Sequence, residues 1–164
     1  MRFLATFIPI RQAGILSLFI ILLSCNNKID QPANPRNRTL SFTESVTFIS
    51  ANGDSISRVD VAIADDEQET QLGLMFVNEL NEDQGMLFVF NQSIPRSFWM
   101  ANTPLPLDII FVNSDFEIVR IHRNTTPFSR DSFSTNIPAQ YVVEVNGGYT
   151  VKFDIQEGMK IRRN

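Results

Sequence analysis

The chain has 164 residues, 43% of them hydrophobic and 20% charged, which is long enough for one packed domain and excludes a disordered chain. Its 14 basic and 18 acidic residues give a formal net charge of −4, which argues against a nucleic-acid-binding protein. Because it contains one cysteine, an intrachain disulfide framework is excluded.

Residues 1–24 have the layout of a bacterial export signal. Two arginines give a positive start, an unbroken apolar run covers residues 14–23, and Cys25 comes directly after Ser24. A run of about ten residues is short for a membrane span, which needs about 20. We therefore predict a signal peptide in preference to a transmembrane anchor.

The sequence Leu-Leu-Ser-Cys over residues 22–25 resembles a lipoprotein signal box, in which a dedicated peptidase cuts before a lipid-modified cysteine. The alternative is that Cys25 is only a small residue near an ordinary cleavage site. A lipoprotein cysteine carries more than one acyl chain, which is enough for stable anchoring. We predict a cell-envelope protein, anchored to a bacterial membrane through lipid on Cys25, with its domain on the periplasmic or outer side.

Removal of residues 1–24 leaves 12 basic and 18 acidic residues, a formal charge of −6, because two arginines lie in that segment. Residues 25–39 are polar and contain two prolines, so we predict a flexible tether there. Residues 40–164 then form a single β-rich domain.

The first predicted elements of the domain are two strands and a helix. Alternating apolar residues indicate strands over 45–50 and 56–63, joined by a tight turn at Asn52-Gly53. An Asp-x-x-Glu sequence then predicts the start of a helix over 66–75.

The rest of the chain is predicted to be mostly strand. The strands are expected over 85–90, 97–100, 108–113, 117–122, 141–145 and 158–162, with a turn over 91–96 and a polar loop over 123–139. Many short strands with few helices favour a mainly β fold: a single-domain sandwich or barrel of short antiparallel strands with one or two short helices.

Two carboxylates are the best acid-base candidates, because a carboxyl group held among apolar side chains has a raised pKa. Asp108 begins one apolar strand and Glu144 lies within another. A structural role is nevertheless favoured for both, in which Asp108 accepts backbone N–H bonds in the turn over 102–107 and Glu144 faces solvent or pairs with an arginine. The only histidine, His122, is predicted to face solvent from a strand.

Three methionines occur beside glycine or aromatic residues: Met75, Met86 and Met100. Thioethers bind Cu(I), so copper binding is an alternative, but methionine is also the usual filler of irregular core gaps and no Met-x-x-Met cluster is present. We expect no metal and no cofactor. Core packing is the favoured role of Trp99, and a platform for a ligand such as a sugar ring is the alternative.

Four sequence segments together resemble the domain-of-unknown-function 192 (DUF192) family: GLMF at 73–76, GMLFVF at 85–90, SFWMANTPLPLDIIFV at 97–112 and YVVEVNGG at 141–148. The resemblance runs from about Val59 to Ile161. It implies a mainly β single domain, often exported, without an established activity.

The residues that match the family pattern are Gly73, Met75, Gly85, Met86, Trp99, Met100, Asn102, Thr103, Pro106, Asp108 and Glu144. Thr70 stands where the family usually has Arg, and Ala101 stands where it usually has Lys. If those two cations belong to a charged site, this chain has lost part of it.

We therefore predict a domain that binds a cell-envelope ligand or a protein partner. The ligand-binding candidates are Trp99, Met100, Asn102, Thr103, Asp108 and Glu144. The alternative is an envelope polysaccharide hydrolase in which Asp108 and Glu144 form a carboxylate pair about 5 to 10 Å apart. A purely structural role in assembly would instead require an exposed apolar patch.

Overall fold

The computed structural model describes residues 38–164. The predicted signal peptide, Cys25 and the predicted tether up to residue 37 lie outside the described residues. Within residues 38–164, no helix is long and apolar enough to cross a bilayer.

The described chain forms seven strands and two short helices. In chain order these are β1 (Glu44–Ile49), β2 (Ser55–Ala64), α1 (Glu67–Leu72), β3 (Gln84–Phe98), β4 (Leu107–Val112), β5 (Ile118–His122), β6 (Phe133–Asn146), α2 (Tyr149–Lys152) and β7 (Lys160–Arg163). The predicted mainly β fold is confirmed.

All seven strands belong to one curled sheet with the order β5-β4-β6-β3-β2-β1-β7. Backbone hydrogen bonds connect the two ends of this order, β5 and β7. The Ile118 N–H donates to the Met159 carbonyl at 2.8 Å, and the Ile161 N–H donates to the Phe116 carbonyl at 2.8 Å. The sheet is therefore barrel-like, since these contacts cover the edges that an open sheet would expose.

The prediction that all strands are antiparallel was wrong for one pair. Strands β2 and β3 are parallel, with Asp60 paired to Gln84 and Ala64 paired to Phe88. A parallel pair needs a crossover, and α1 with the loop that follows it supplies the connection. Asp66 caps α1, because its Oδ1 accepts the Glu69 N–H at 2.7 Å.

The predicted turn over 91–96 and loop over 123–139 were also wrong in part. Strand β3 runs through residues 91–96 and β6 begins at Phe133, so the two strands pair far beyond the core, with Phe98 opposite Phe133. The register shifts between Val89 and Ile94. Polar residues and a proline in this stretch fit a bulged strand as well as a turn, which explains the error.

Both faces of the sheet are buried by apolar side chains. The inner cluster, inside the curl, consists of Val46, Phe48, Val59, Val61, Leu87, Ile110, Val112, Ile118, Ile121, Val143, Val145, Tyr149, Ile155 and Ile161. The outer cluster consists of Ala62, Ala64, Leu74, Val77, Met86, Phe88, Met100, Leu107, Ile109, Phe111, Ala139 and Val142. Because the two faces are both covered, a polar side chain on either face becomes buried.

Candidate functional site

A row of five directly paired residues crosses the outer face of the sheet. Ala62 pairs with Met86, Met86 with Glu144, Glu144 with Ile109, and Ile109 with His122. Directly paired residues on neighbouring strands point to the same face. The carboxyl group of Glu144 therefore lies between two fully buried apolar side chains.

Glu144 is largely buried, and its carboxyl group reaches the surface of a cavity, since Ser57 Oγ is the one fully buried side-chain polar atom without a hydrogen-bond partner among residues 38–164. The exposed fraction of Glu144 is 4%, and among residues 38–164 no hydrogen bond to its carboxyl group is formed. Desolvation raises the pKa of Glu144 to about 8, because burial penalises the charged form of a carboxyl group. The favoured prediction, that Glu144 faces solvent or pairs with an arginine, was wrong.

Glu144 borders a cavity of about 490 Å³ on the outer face. The apolar walls come from α1, the loop after it and β3, and include Leu72, Leu74, Met75, Phe88, Phe90 and Phe98. Thr70, one of the two departures from the family pattern, also lines the cavity. The cavity therefore combines apolar walls with one buried acid.

The aromatic walls meet at right angles around Phe98. Its ring is perpendicular to the ring of Phe88 at 4.9 Å between centroids, to that of Phe90 at 6.4 Å and to that of Phe111 at 5.7 Å. Edge-to-face contacts of this kind are a favourable aromatic geometry. These contacts hold the Phe98 ring against the outer cluster.

Arg96 lies at the same wall with its guanidinium 3.4 Å from the centroid of the Phe90 ring. Its Nε donates to the Ala139 carbonyl at 2.8 Å, and its terminal nitrogen donates to the Gln92 carbonyl. Desolvation lowers the pKa of Arg96 from its usual value. One aromatic face of the cavity thus already holds a cation by a cation–π contact.

Trp99 follows directly after β3 and lines the cavity with 62% of its surface exposed. The favoured prediction that Trp99 packs in the core was wrong, whereas Phe98 beside it packs against the outer cluster. Successive residues of an extended chain point to opposite faces, which accounts for the difference.

The predicted Asn-Thr-Pro segment forms a tight turn. The Thr103 N–H donates to the Met100 carbonyl at 3.1 Å, and Asn102 has a positive φ of 56°, a conformation that asparagine tolerates better than most residues. The Asn102 carbonyl accepts the Phe76 N–H at 2.8 Å. Thr103 is buried and lines the cavity, so the turn supports one side of it.

The methionines are placed mainly by packing. Met86 and Met100 are fully buried in the outer cluster, while Met75 is half-buried and lines the cavity. Within the described part of the chain, no three His, Cys, Asp or Glu side chains cluster to hold a metal ion.

Asp108 is fully buried and forms four hydrogen bonds. Its Oδ1 accepts the backbone N–H groups of Asn124 at 2.7 Å and Gly148 at 3.0 Å. Its Oδ2 accepts the backbone N–H of Thr150 at 2.8 Å and the hydroxyl of Thr150 at 2.6 Å. Asp108 thus accepts backbone N–H groups, as predicted. The donors lie in the loop after β5 and at the start of α2, however, so their predicted location in the turn over 102–107 was wrong.

The two carboxylates do not form the pair that the hydrolase alternative requires. Asp108 pairs with Val145 and Ile109 pairs with Glu144, so Asp108 points to the inner face and Glu144 to the outer face. A carboxylate pair must share one cleft. The structure therefore excludes Asp108 and Glu144 as joint acid and base.

His122 does not face solvent as predicted. It is half-buried between Phe111 and Phe133, at 5.8 Å and 5.6 Å between ring centroids, and its Nε2 is 2.8 Å from the Ser134 carbonyl oxygen. The long β6 strand, which the sequence did not predict, covers this ring.

Of the six candidates, the structure brings Trp99, Thr103 and Glu144 to the cavity. Met100 is packed in the outer cluster, Asn102 lies in the turn beside the cavity, and Asp108 lies on the inner face of the sheet. Sequence reasoning missed the aromatic wall and Arg96. The available signal was the two-residue spacing of Phe88 and Phe90, which places both rings on one face of a strand.

Comparisons with known proteins agree with this architecture. The model of the DUF192 family, described as "Uncharacterized ACR", matches residues 47–163. A structure from Sinorhizobium meliloti 1021, described as a candidate transcription regulator, is 34% identical with a TM-score of 0.72, covering 77% of this chain and 98% of that chain.

A second solved structure, a protein of unknown function from Novosphingobium aromaticivorans DSM 12444, is 29% identical with a TM-score of 0.69. That alignment covers 80% of this chain and 98% of the other. The comparison with curated proteins finds no match.

Proposed function

This chain belongs to the DUF192 family, and from the geometry of its cavity we propose that it is a lipid-anchored cell-envelope domain that binds a small apolar ligand carrying one polar group. The family supplies no activity, so the proposal depends on this chain's own residues. The lipid anchor follows from the sequence around Cys25 and is part of the proposal.

The observation that carries the proposal is the unpartnered carboxyl group of Glu144 beside an apolar cavity. The carboxyl group faces the cavity and forms no hydrogen bond with residues 38–164, so its hydrogen-bonding capacity is open to a ligand. A ligand that offers a hydrogen bond to Glu144 and fills the apolar part of the cavity uses both features. The cavity size, about 490 Å³, lies within the usual range of small-molecule sites.

Binding fits this cavity better than catalysis. Acid-base catalysis of hydrolysis uses two positioned groups, and the second buried carboxylate, Asp108, lies on the other face of the sheet with all its oxygens engaged. The excess of 18 acidic over 14 basic residues disfavours DNA binding by this chain, so transcriptional regulation is not part of the proposed function.

The proposal is tested with the full chain, prepared from membranes and placed in nanodiscs of zwitterionic lipid. The chain has one tryptophan, so ¹⁵N-tryptophan labelling gives a single indole N–H signal from Trp99 at the cavity. Titration with 1-hexanol should shift this signal in a saturable way. Absence of any saturable shift with 1-hexanol and other small apolar alcohols would overturn the proposal.

A matched pair of variants locates the binding. Thr70→Phe places a ring in the cavity wall, whereas Gln68→Phe places the same ring on an exposed part of α1 that does not line the cavity. The first variant should weaken 1-hexanol binding at least tenfold and the second should leave it unchanged. Equal effects of the two variants would mean that the alcohol binds elsewhere.

A further inference from the structure

We propose that the ligand of this cavity is an alkylammonium compound, whose ammonium group binds between Glu144 and the aromatic wall while its alkyl chain fills the apolar part. This inference rests on the proposed function, because it names the ligand class of the same cavity. It is carried by the placement of one unpaired acid beside several aromatic rings.

Glu144 and an ammonium group have complementary charges. Glu144 borders the cavity, is 4% exposed, and has neither a basic side chain nor a hydrogen-bond donor bound to it among residues 38–164. An ammonium group is the partner that stabilises a buried carboxylate most, since it supplies both an opposite charge and hydrogen-bond donors. No other charged group of the described residues bonds this acid in the cavity.

An aromatic wall borders the same cavity as Glu144. Phe88, Phe90, Phe98 and Trp99 line the same cavity, and a cation is attracted to an aromatic face within about 6 Å of its centroid. The guanidinium of Arg96 already lies 3.4 Å from the centroid of Phe90. This wall thus accommodates a cation in the chain itself. Phe88 is 1% exposed, whereas Trp99 is 62% exposed, so the Trp99 ring is the one open to a ligand cation.

The charged groups around the cavity leave Glu144 free to accept a ligand cation. Arg96 donates to a backbone carbonyl on β6, and Arg38 donates to a backbone carbonyl just after α1. Glu69 on α1 interacts with Arg38, and His122 lies at the far end of the paired row with its ring nitrogen near another backbone carbonyl. None of these side chains bonds Glu144 among the described residues.

Other ligand classes fit the cavity less well. An alcohol can hydrogen-bond Glu144 but gains nothing from the ring faces beyond apolar contact. A carboxylate would bring a second negative charge beside Glu144, and the cation at the same wall, Arg96, already donates to the Ala139 and Gln92 carbonyls. An ammonium compound uses both features, so we expect a preference for it over an alcohol and a carboxylate with the same chain.

The experiment compares hexylamine, 1-hexanol and hexanoate on the full chain in the same nanodiscs, read from the indole signal of Trp99. At pH 9 the amine remains charged, because its pKa resembles that of a lysine at about 10.4. Hexylamine should then bind at least tenfold more tightly than either analogue. Nα-acetyl-lysine amide, as a further probe, distinguishes a free amine from a lysine side chain as the source of the ammonium group.

Two further measurements connect the preference to Glu144. In Glu144→Gln the ratio of hexylamine to 1-hexanol affinity should fall from at least ten to about one, whereas Asp115→Asn, an exposed acid elsewhere, should keep the full ratio. In the unmodified chain the affinity for hexylamine should fall about tenfold for each pH unit below 8, because binding requires the ionised acid. This pH series does not depend on the variant folding.

The outcomes separate the two proposals. If 1-hexanol or hexanoate binds as tightly as hexylamine, or if the preference survives in Glu144→Gln, the alkylammonium inference is wrong while the binding cavity stands. If none of the probes shifts the Trp99 signal, the proposed function is wrong as well.

Discussion

Asp108 and Glu144 lie one residue out of register on neighbouring strands, and their carboxyl groups point to opposite faces of the same sheet. Asp108 accepts four hydrogen bonds from the chain, whereas Glu144 accepts none among the described residues. Two buried acids therefore have different tasks: the first joins loops together, and the second borders a cavity.

The stability of the protein should depend on pH through Glu144. Burial raises the pKa of Glu144 to about 8 from its ordinary value of 4.5, so the folded state binds the proton more tightly than the unfolded state. A raised folded pKa stabilises the folded state fully below pH 4.5, and this contribution is lost as the pH rises towards 8. The expected loss is about 1.4 kcal/mol per pH unit in this window.

Glu144→Gln isolates this effect, because the amide has the same shape and does not titrate. Urea unfolding followed by circular dichroism between pH 4 and pH 9 should show a flatter profile for the variant. Above pH 8 the variant should be more stable than the unmodified chain by several kcal/mol, roughly up to 5. Parallel profiles for the two proteins would contradict the buried, unpaired state of Glu144.

Removal of the Asp108 carboxylate should destabilise the fold strongly. Asp108→Ala leaves three backbone N–H groups and one hydroxyl without their acceptor, two of them on Thr150. Because each unsatisfied buried donor costs about 1 to 3 kcal/mol and water recovers part of this, we expect a loss of about 3 to 5 kcal/mol. The free energy of unfolding from urea denaturation measures it.

The matched control for this prediction is Asp115→Ala, which removes an exposed carboxylate from the turn between β4 and β5. A surface substitution of this kind usually changes stability by about 0.5 kcal/mol or less. If Asp108→Ala cost no more than the control, the four hydrogen bonds would not stabilise the folded state.

The sequence predicted the strands that have one clear apolar run. Strand β1 was predicted over 45–50 and lies at Glu44–Ile49, and strand β4 was predicted over 108–113 and lies at Leu107–Val112. Their apolar residues are buried on both sides of the sheet, so the local pattern and the tertiary packing agree. The extension of β3 and β6 past the core was not predicted. The residues there are mostly polar and pair through the backbone, so they show no apolar pattern.

The cavity was predictable only in part. Trp99, Thr103 and Glu144 were candidates, but Arg96 was assigned to a turn and the phenylalanine wall to the core. The face that a strand residue occupies depends on sheet register. A shift of one residue separates Asp108, which caps loops on the inner face, from Glu144, which borders the cavity on the outer face. The register between β4 and β6 is set by long-range pairing, so it could not be predicted from the local sequence pattern.

Gly85 should be intolerant of any side chain. A Cβ placed on Gly85 would lie 2.6 Å from the backbone oxygen of Glu144 on the neighbouring strand, which forces the two strands apart. We expect Gly85→Ala to cost about 2 kcal/mol or more, as overpacking of a rigid core does. Thermal and urea unfolding of the purified variant measure the loss.

Gly53→Ala is the comparison for Gly85→Ala, because Gly53 has a φ of 89° and open space around it. That substitution should cost only the backbone strain of a left-handed conformation, about 1 to 2 kcal/mol. A smaller loss at Gly85 than at Gly53 would show that the strands move apart easily and that the close approach is not required.

The predicted lipid anchor is testable at Cys25. Cys25→Ser should give an unprocessed precursor that incorporates no radiolabelled palmitate, because the peptidase cuts only before a lipid-modified cysteine. The unmodified chain should incorporate the label and fractionate with membranes. Ser24→Ala, which keeps the cysteine and a small residue before it, should behave as the unmodified chain does. Normal processing of Cys25→Ser would exclude the lipoprotein assignment.

Trp99 and Phe98 should separate binding from stability. Phe98 packs on Phe88 and Phe111, so Phe98→Ala should cost about 3 kcal/mol, whereas Trp99 is 62% exposed and Trp99→Ala should cost below about 1 kcal/mol. At a fixed ligand concentration, tighter binding raises the midpoint of thermal unfolding further. The midpoint shift produced by hexylamine should be much smaller in Trp99→Ala and should be retained in Trp99→Phe, because a second aromatic ring preserves the wall. If Trp99→Ala lowered stability but kept the full ligand-dependent shift, Trp99 would belong to the packing of the domain and not to its binding cavity.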